Sequence, residues 1–186
     1  MASFVTQTLF LLFFTLFSTF SITINGEFSS QSIITSTKRM EKMTLLHFYF
    51  HDIVDGKNPT AIKIIRPANK STVSFGTTFM VADPLTEKPE PNSKLVGRAQ
   101  GIYALASQHE IGLLMVMNFA FSDGIYNGSA LSILGRNAVL NKVREMPIVG
   151  GSGIFRFARG YALAKTVWFN QIGDVVVEYN VSVVHY

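Results

Sequence analysis

The sequence predicts an all-β fold of about eight strands, arranged as a sandwich or a barrel. Three observations carry that prediction. Short runs rich in Val, Ile, Phe and Tyr recur from Leu45 to the C-terminus. Turn signals separate them, among them Asp83-Pro84, Ser122-Asp123-Gly124 and Gly150-Gly151-Ser152-Gly153. No stretch carries the 3.6-residue period of an amphipathic helix.

The chain opens with a segment that precedes the fold. Residues 1–26 contain no Asp, Glu, Lys or Arg, and Leu9 to Phe17 is an apolar run. That run is shorter than the roughly 20 residues that span a bilayer, so 1–26 reads as a secretory signal peptide. Residues 27–43, polar and rich in Ser and Thr, read as a flexible arm. Residues 44–186 form one domain with one core.

The strands follow in order. Leu45 to Ile53 is the first, and Val73 to Asp83 the second, stopping at Pro84. Thr86 to Ser93, with Pro89 and Pro91, is a loop. Leu95 to Ala106 and Ile111 to Phe121 form a pair. Ala130 to Leu134 is a short strand closed by Gly135-Arg136-Asn137, and Ala138 to Arg144 makes one helical turn at most. Glu145 to Val149 ends at the glycine cluster; Phe155 to Phe169 and Asp174 to Tyr186 complete the chain. A barrel of eight strands has an interior that holds one small ligand.

Alternate residues of a strand share a face. In the last strand Val175, Val177, Tyr179, Val181 and Val183 share one, which leaves Asn180 on the other. The strand Ile111 to Phe121 is apolar on both faces, so its outer face needs cover, from a second copy of the chain or from the N-terminal arm.

The net charge is +4, with the basic residues scattered rather than clustered. This describes a solvated surface, not a nucleic-acid footprint. The chain has no cysteine, which excludes thiolate metal sites, thiol catalysis and disulfides. Asn69, Asn127 and Asn180 each head an Asn-X-Ser sequon, consistent with export and glycosylation.

Several residues are candidates for chemistry. Leu46, Phe48, Phe50 and Asp52 share a face. A carboxyl in line with phenylalanines is either buried, with a raised pKa, or solvated at the strand end before Asp55-Gly56. Arg159 shares parity with Phe155, Phe157, Tyr161 and Leu163; its partner is a buried acid such as Asp52, an anionic ligand, or water at a rim. Tyr103 lies in line with Gly97, Ala99 and Gly101, where small residues leave space for a phenolic ligand, unless the ring is simply core. His47 and His51 lie about 13 Å apart on a strand, too far to share one ion, and no metal or other cofactor is expected. The glycine cluster lacks the Gly-Lys-Ser/Thr of a phosphate loop, and Ile154 breaks the nucleophile-elbow pattern.

These residues also carry a resemblance. Leu46 to Asp52 (LHFYFHD), Val96 to Tyr103 (VGRAQGIY) and Ile148 to Gly160 (IVGGSGIFRFARG) resemble, in order and spacing, motifs of the plant dirigent proteins. The resemblance implies an eight-stranded antiparallel β-barrel of the allene-oxide-cyclase type, a homotrimer, and secretion to the apoplast. It implies a pocket for a phenylpropanoid-derived radical or quinone methide, while a separate laccase or peroxidase supplies any radicals. Asp52, Tyr103 and Arg159 fall on motif positions associated with that pocket, with Asp83 beside them. Phe50, Phe157 and Phe169 would form its aromatic walls. Lignan-forming members carry an aspartate after the glycine turn, where this chain has Ile154, and a cysteine pair that it lacks. The Phe-Arg-Phe-Ala-Arg-Gly-Tyr-Ala run is closer to the branch that includes the pterocarpan synthases, which remove water from an isoflavanol through a quinone methide. The expected functions are therefore stereoselective coupling of phenoxy radicals, dehydration of an isoflavanol, or a wall-binding role without small-molecule chemistry.

Overall fold

The computed structural model describes residues 40–67 and 74–186; the expected signal peptide, most of the arm and Asn69 lie outside these residues. Nine strands form one antiparallel sheet: β1 (Lys42–Asp52), β2 (Ala61–Ile65), β3 (Thr78–Thr86), β4 (Leu95–Leu105), β5 (Gly112–Phe121), β6 (Ala130–Ala138), β7 (Arg144–Ser152), β8 (Arg159–Phe169) and β9 (Val175–His185). Eight of them close into a ring in the order β1-β9-β8-β7-β6-β5-β4-β3, with β3 returning to β1. The expected eight-stranded barrel is the fold, and β2 is an addition to it. Closing the ring leaves no long free edge.

The closure between β1 and β3 is divided. β1 pairs with β9 along its whole length, Lys42↔His185 to Asp52↔Val175, but meets β3 only at Tyr49↔Thr86 and Phe50↔Leu85. The chain then leaves the wall over residues 53–60 and returns as β2, which continues alongside β3 from Ala61↔Val81. The Thr60 and Ala61 amides both donate to the Ile53 carbonyl, at 2.8 and 3.0 Å, which pinches the base of the excursion.

Pro84, expected to end a strand, is inside one, as is Pro147, which lies within its expected strand; one reason serves both. Pro84 pairs with Arg98 on β4, so β3 continues to Thr86. The Ala82 amide donates to Thr60 on the β2 side, so two residues on the missing proline donor points to the same side, into the break between β1 and β2. Pro147 pairs with Tyr161 on β8, while the β6–β7 ladder carries no pair past Ile133↔Ile148. Gly135, expected to close β6, lies inside it. A Cβ there would come 2.9 Å from Cδ of Pro147. Residues 139–143 form a turn, without the expected helical turn. β8 starts at Arg159 rather than Phe155, because Gly153–Phe155 makes a 3₁₀ turn.

The glycines of β4 do a different job from the one expected. A Cβ on Gly97 or Gly101 would come within 2.4 and 2.2 Å of β5 carbonyl oxygens. Their smallness admits the neighbouring backbone rather than leaving room for a ligand.

The interior is divided along the barrel axis. Towards the end that holds the β7–β8 connection, Phe48 packs edge-on against Phe119 (4.9 Å) and stacks on Tyr179 (5.7 Å), and Phe155 stacks on Tyr126 (5.3 Å). This half is filled with aromatic rings. The other end, towards the β4–β5, β6–β7 and β8–β9 turns, has a polar interior. On the outside, Ile62↔Met80, Met80↔Ile102, Ile102↔Val116 and Val116↔Leu134 make an apolar row across five strands. Four of the five side chains are exposed.

Candidate active site

The polar interior is built on β1, β3 and β4. The alternation that buries Phe48 and Phe50 carries Asp52 inward as well. β3 sends Val81, Asp83 and Leu85 inward by the same parity, and β4 sends Ala99 and Tyr103. Extending the Phe50↔Leu85 register by two residues places Asp52 beside Asp83 at the break in the wall.

Both acids are short of partners. Asp83 is fully buried, and neither of its oxygens is hydrogen-bonded; Oδ1 of Asp52 is likewise buried and unpaired. Thr60 is near enough to Asp83 to favour its charged form slightly. Its hydroxyl, however, donates to the His51 carbonyl (3.3 Å) and accepts from the Ile53 amide (3.0 Å), so we read Asp83 as unpartnered. The Tyr103 hydroxyl is near enough to Asp52 to favour its charged form.

Burial raises the pKa of Asp52 to about 6, against the lowering effect of the nearby Tyr103 hydroxyl and with a further push from Asp174. Burial raises Asp83 to about 8, and the charge of Asp52 adds to it. The asymmetry is what a pair produces: Asp52 ionises first, and its charge then holds the proton on Asp83. Burial, followed by the fields of the two acids, raises Tyr103, which therefore stays a neutral donor. At neutral pH this corner holds one proton-bearing carboxyl next to one carboxylate.

The facing wall holds a cation that the sequence reading did not single out. Arg144 and Asn137 are both buried, and the Arg144 Nε–H donates to Oδ1 of Asn137 at 3.1 Å. Asn137 in turn donates to the Met115 sulfur at 3.7 Å. Among the described residues Arg144 has no acidic partner. Burial lowers its pKa. Tyr179 lies within electrostatic reach of all three ionisable groups, Arg144, Asp83 and Asp52. The interior thus has an acidic pole on β1 and β3 and a guanidinium pole on β6 and β7. Parity was the usable signal, since Arg144 alternates with the inward-facing Met146 and Ile148.

The other expected residues divide between the two ends. Phe50 is buried one step below Asp52, edge-on to Tyr179 at 5.9 Å. Phe169 pairs with Val175, which pairs with Asp52. Directly opposed residues share a face, so Phe169 stands on the rim of the acidic pole, 72% exposed. The rim is braced by Asp174, which accepts from the Val54 amide (2.8 Å) and the Asn170 side chain (2.9 Å).

Arg159 and Phe157 are elsewhere. Arg159 pairs with Val184, nine residues along β9 from Val175, or about 30 Å at ~3.3 Å per residue. It is exposed and ion-paired to Glu41 at 2.7 Å. Of the partners left open for it, Asp52 is ruled out: β8 begins at Arg159, so the parity with Phe155 and Phe157 does not hold, and the inward residues are Ala162 and Ala164. Phe157 lies in the β7–β8 connection at that same distant end, 67% exposed, with a left-handed φ of 63°. His47 bonds to Glu178 (3.0 Å) and His51 to Thr86 (2.7 Å), both away from the interior. Asn127, in the β5–β6 turn, and Asn180, on the outer face of β9, are exposed.

The chain is similar to known proteins over nearly all of its described residues. The dirigent-like protein family matches residues 43–184. Dirigent protein 23 of Arabidopsis thaliana is 53% identical over 148 residues, covering 78% of this chain and 79% of that one. Pterocarpan synthase 1 of Glycyrrhiza echinata is 50% identical over 185 residues, covering 91% and 98%. The solved structure of a pterocarpan synthase dirigent protein superposes with a TM-score of 0.77 at 55% identity, covering 80% of this chain and 88% of that one.

Proposed function

Given that this chain belongs to the dirigent-like protein family, we propose that its barrel binds a phenol bearing a benzylic hydroxyl, expels that hydroxyl as water, and directs ring closure of the resulting quinone methide. The reading makes it a dehydratase of an isoflavanol. The observation that carries it is the buried Asp52–Asp83 pair, which keeps a carboxyl protonated at neutral pH. Orienting two preformed radicals needs no acid; breaking a C–O bond does.

The steps balance without a redox partner. The protonated member of the pair donates to the benzylic oxygen as the C–O bond breaks, and water leaves. Electrons come from the para ring oxygen, which loses its proton and becomes the quinone-methide carbonyl oxygen. A second hydroxyl of the substrate adds to the benzylic carbon; its proton and the one lost earlier restore the ring phenol and the acid. Tyr103 holds Asp52 in place, and Arg144 supplies a fixed positive charge for developing negative charge on oxygen. Phe50 and the rim residue Phe169 would present one face of the intermediate to the nucleophile.

A second reading is supported by the Arabidopsis dirigent proteins at 53% and 54% identity: stereoselective coupling of monolignol radicals supplied by an external laccase or peroxidase. Chiral chromatography of two parallel reactions separates the two readings. Product from an isoflavanol without oxidant supports dehydration. Enantiomeric excess only with coniferyl alcohol plus laccase replaces it with the coupling role. On either reading the protein works outside the cell, after removal of residues 1–26. The exposed apolar row from Ile62 to Leu134 supports a homotrimer that buries it; light scattering at micromolar concentration checks the stoichiometry.

A further inference from the structure

We infer that Lys63 is a specificity-determining residue at the mouth of the site, where it holds the ring oxygen of the bound phenol as a phenolate; this rests on the phenol-binding reading above. Lys63 on β2 lies directly opposite Phe79 on β3, and Phe79 lies opposite Tyr103 on β4. Residues so paired project from one face, so the three form a row on the inner side of the wall. The side chains agree: Lys63 Nζ stands 5.4 Å from the centroid of the Phe79 ring, and that ring stacks on Tyr103 at 4.9 Å.

Lys63 is half-buried, and among the described residues it makes no ion pair. The stretch 68–73 that follows β2 contains no Asp or Glu. The acids of the interior are deeper and act on each other, with Arg98 the one cation that favours ionised Asp83. An aromatic face beneath an ammonium holds it in a less hydrated position, where its field on a ligand is stronger than in bulk water.

The spacing suits a phenol. Four residues of β3, about 13 Å at ~3.3 Å per residue, separate Phe79 from Asp83. One ring carrying a benzylic hydroxyl and a para oxygen, with a hydrogen bond at each end, spans about that distance. Seating the hydroxyl against the acids turns the ring oxygen outward to Lys63. The competing cation, Arg144, lies on the facing wall and already donates to Asn137. The groups facing the row are therefore Asp52 and Asp83 from β1 and β3, Tyr103 from β4, Tyr179 from β9, and Arg144 from β7.

The test uses 7-hydroxycoumarin, whose phenol and phenolate absorb at different wavelengths, bound to the mature full-length protein. Absorbance titration gives the pKa of the bound phenol. An ammonium at contact distance lowers it by about one unit relative to free dye, a tenfold preference for phenolate. Lys63→Met removes that shift and Lys63→Arg keeps it, while the interior acids titrate alike in all three proteins. An unchanged shift in Lys63→Met overturns the assignment. If that variant does not fold, wild-type protein decides alone at pH 8: 7-hydroxycoumarin must bind about tenfold tighter than 7-methoxycoumarin, and equal affinity overturns the assignment. No binding of either dye overturns the phenol-binding reading itself, a separate failure.

Discussion

The Tyr103 hydroxyl favours the charged form of the Asp52 carboxyl from across β3, although the two stand on strands that do not pair with each other. The proximity exists because inward parity on β1, β3 and β4 converges at the one break in the wall. Burial raises Asp52 only to about 6 but Asp83 to about 8, where the charge of Asp52 adds to the rise, so Asp52 ionises first.

Asp52→Asn and Tyr103→Phe are therefore expected to differ in kind. Asp52→Asn removes the ionisable partner and should lower product formation about 10²–10⁴-fold, the usual span for a general acid or base. Tyr103→Phe should leave an acid in place and chiefly shift the pH–rate profile upward, because Asp52 loses the neighbouring hydroxyl that favours its charged form. Chiral chromatography over pH 5–9 measures both. Unchanged rate and enantiomeric excess in a folded Asp52→Asn protein would falsify the assignment of proton transfer to this pair.

The same acids give the barrel an unusual pH dependence of stability. Both have folded pKa values above the ordinary 3.8, at about 6 and about 8. The folded state thus binds more protons than the unfolded chain between pH 4 and 8. Stability is greatest below pH 4 on this account and falls as pH rises through each folded pKa, by an amount on the order of a few kcal/mol. Thermal denaturation should show a higher Tm at pH 5 than at pH 8.5, and Asp83→Asn should flatten the difference. A Tm that rises from pH 5 to 8.5 in the wild type and in Asp83→Asn alike contradicts this account.

Arg144→Met should separate function from folding. Among the described residues the buried guanidinium has no acidic partner, so its removal strands no buried carboxylate. The expected result is a Tm within a few degrees of wild type together with loss of ligand affinity of at least tenfold, about 1.4 kcal/mol. Collapse of the Tm with affinity retained would make Arg144 structural.

Phe157 offers the reverse comparison. Its left-handed backbone costs a non-glycine residue about 1–2 kcal/mol, so Phe157→Gly is expected to raise the melting temperature slightly. Its distance from Asp52 predicts unchanged product and stereochemistry. A loss of stereoselectivity in this variant would return Phe157 to the site from which the structure removes it.

Alternation made most of the wall legible. Phe48-x-Phe50-x-Asp52 and Val177-x-Tyr179-x-Val181 declare their inner faces without help. β2 escapes because Ala61–Ile65, a single lysine among four apolar residues between Pro59 and Pro67, shows no clean alternation. Pro84 and Gly135 look like terminators because sequence does not say which side of a strand lacks a partner, and a proline is silent where no acceptor faces it. Asp52, Tyr103 and Asp83 were found through their motif and their apolar company. Arg144 and Asn137 were hidden behind Gly135, which shortened β6 on paper and broke the alternation that points them inward.

The excursion at residues 53–60 has an evolutionary consequence. It starts and ends at the Ile53 carbonyl, so residues can be gained or lost between those points without shifting the register of β1 on β9 or of β3 on β4. The acids belong to the strands that stay fixed, while Lys63 and Thr60 belong to the piece that returns. Related chains could exchange one substrate for another by editing this segment alone, inheriting the chemistry intact and renegotiating only what is admitted to it.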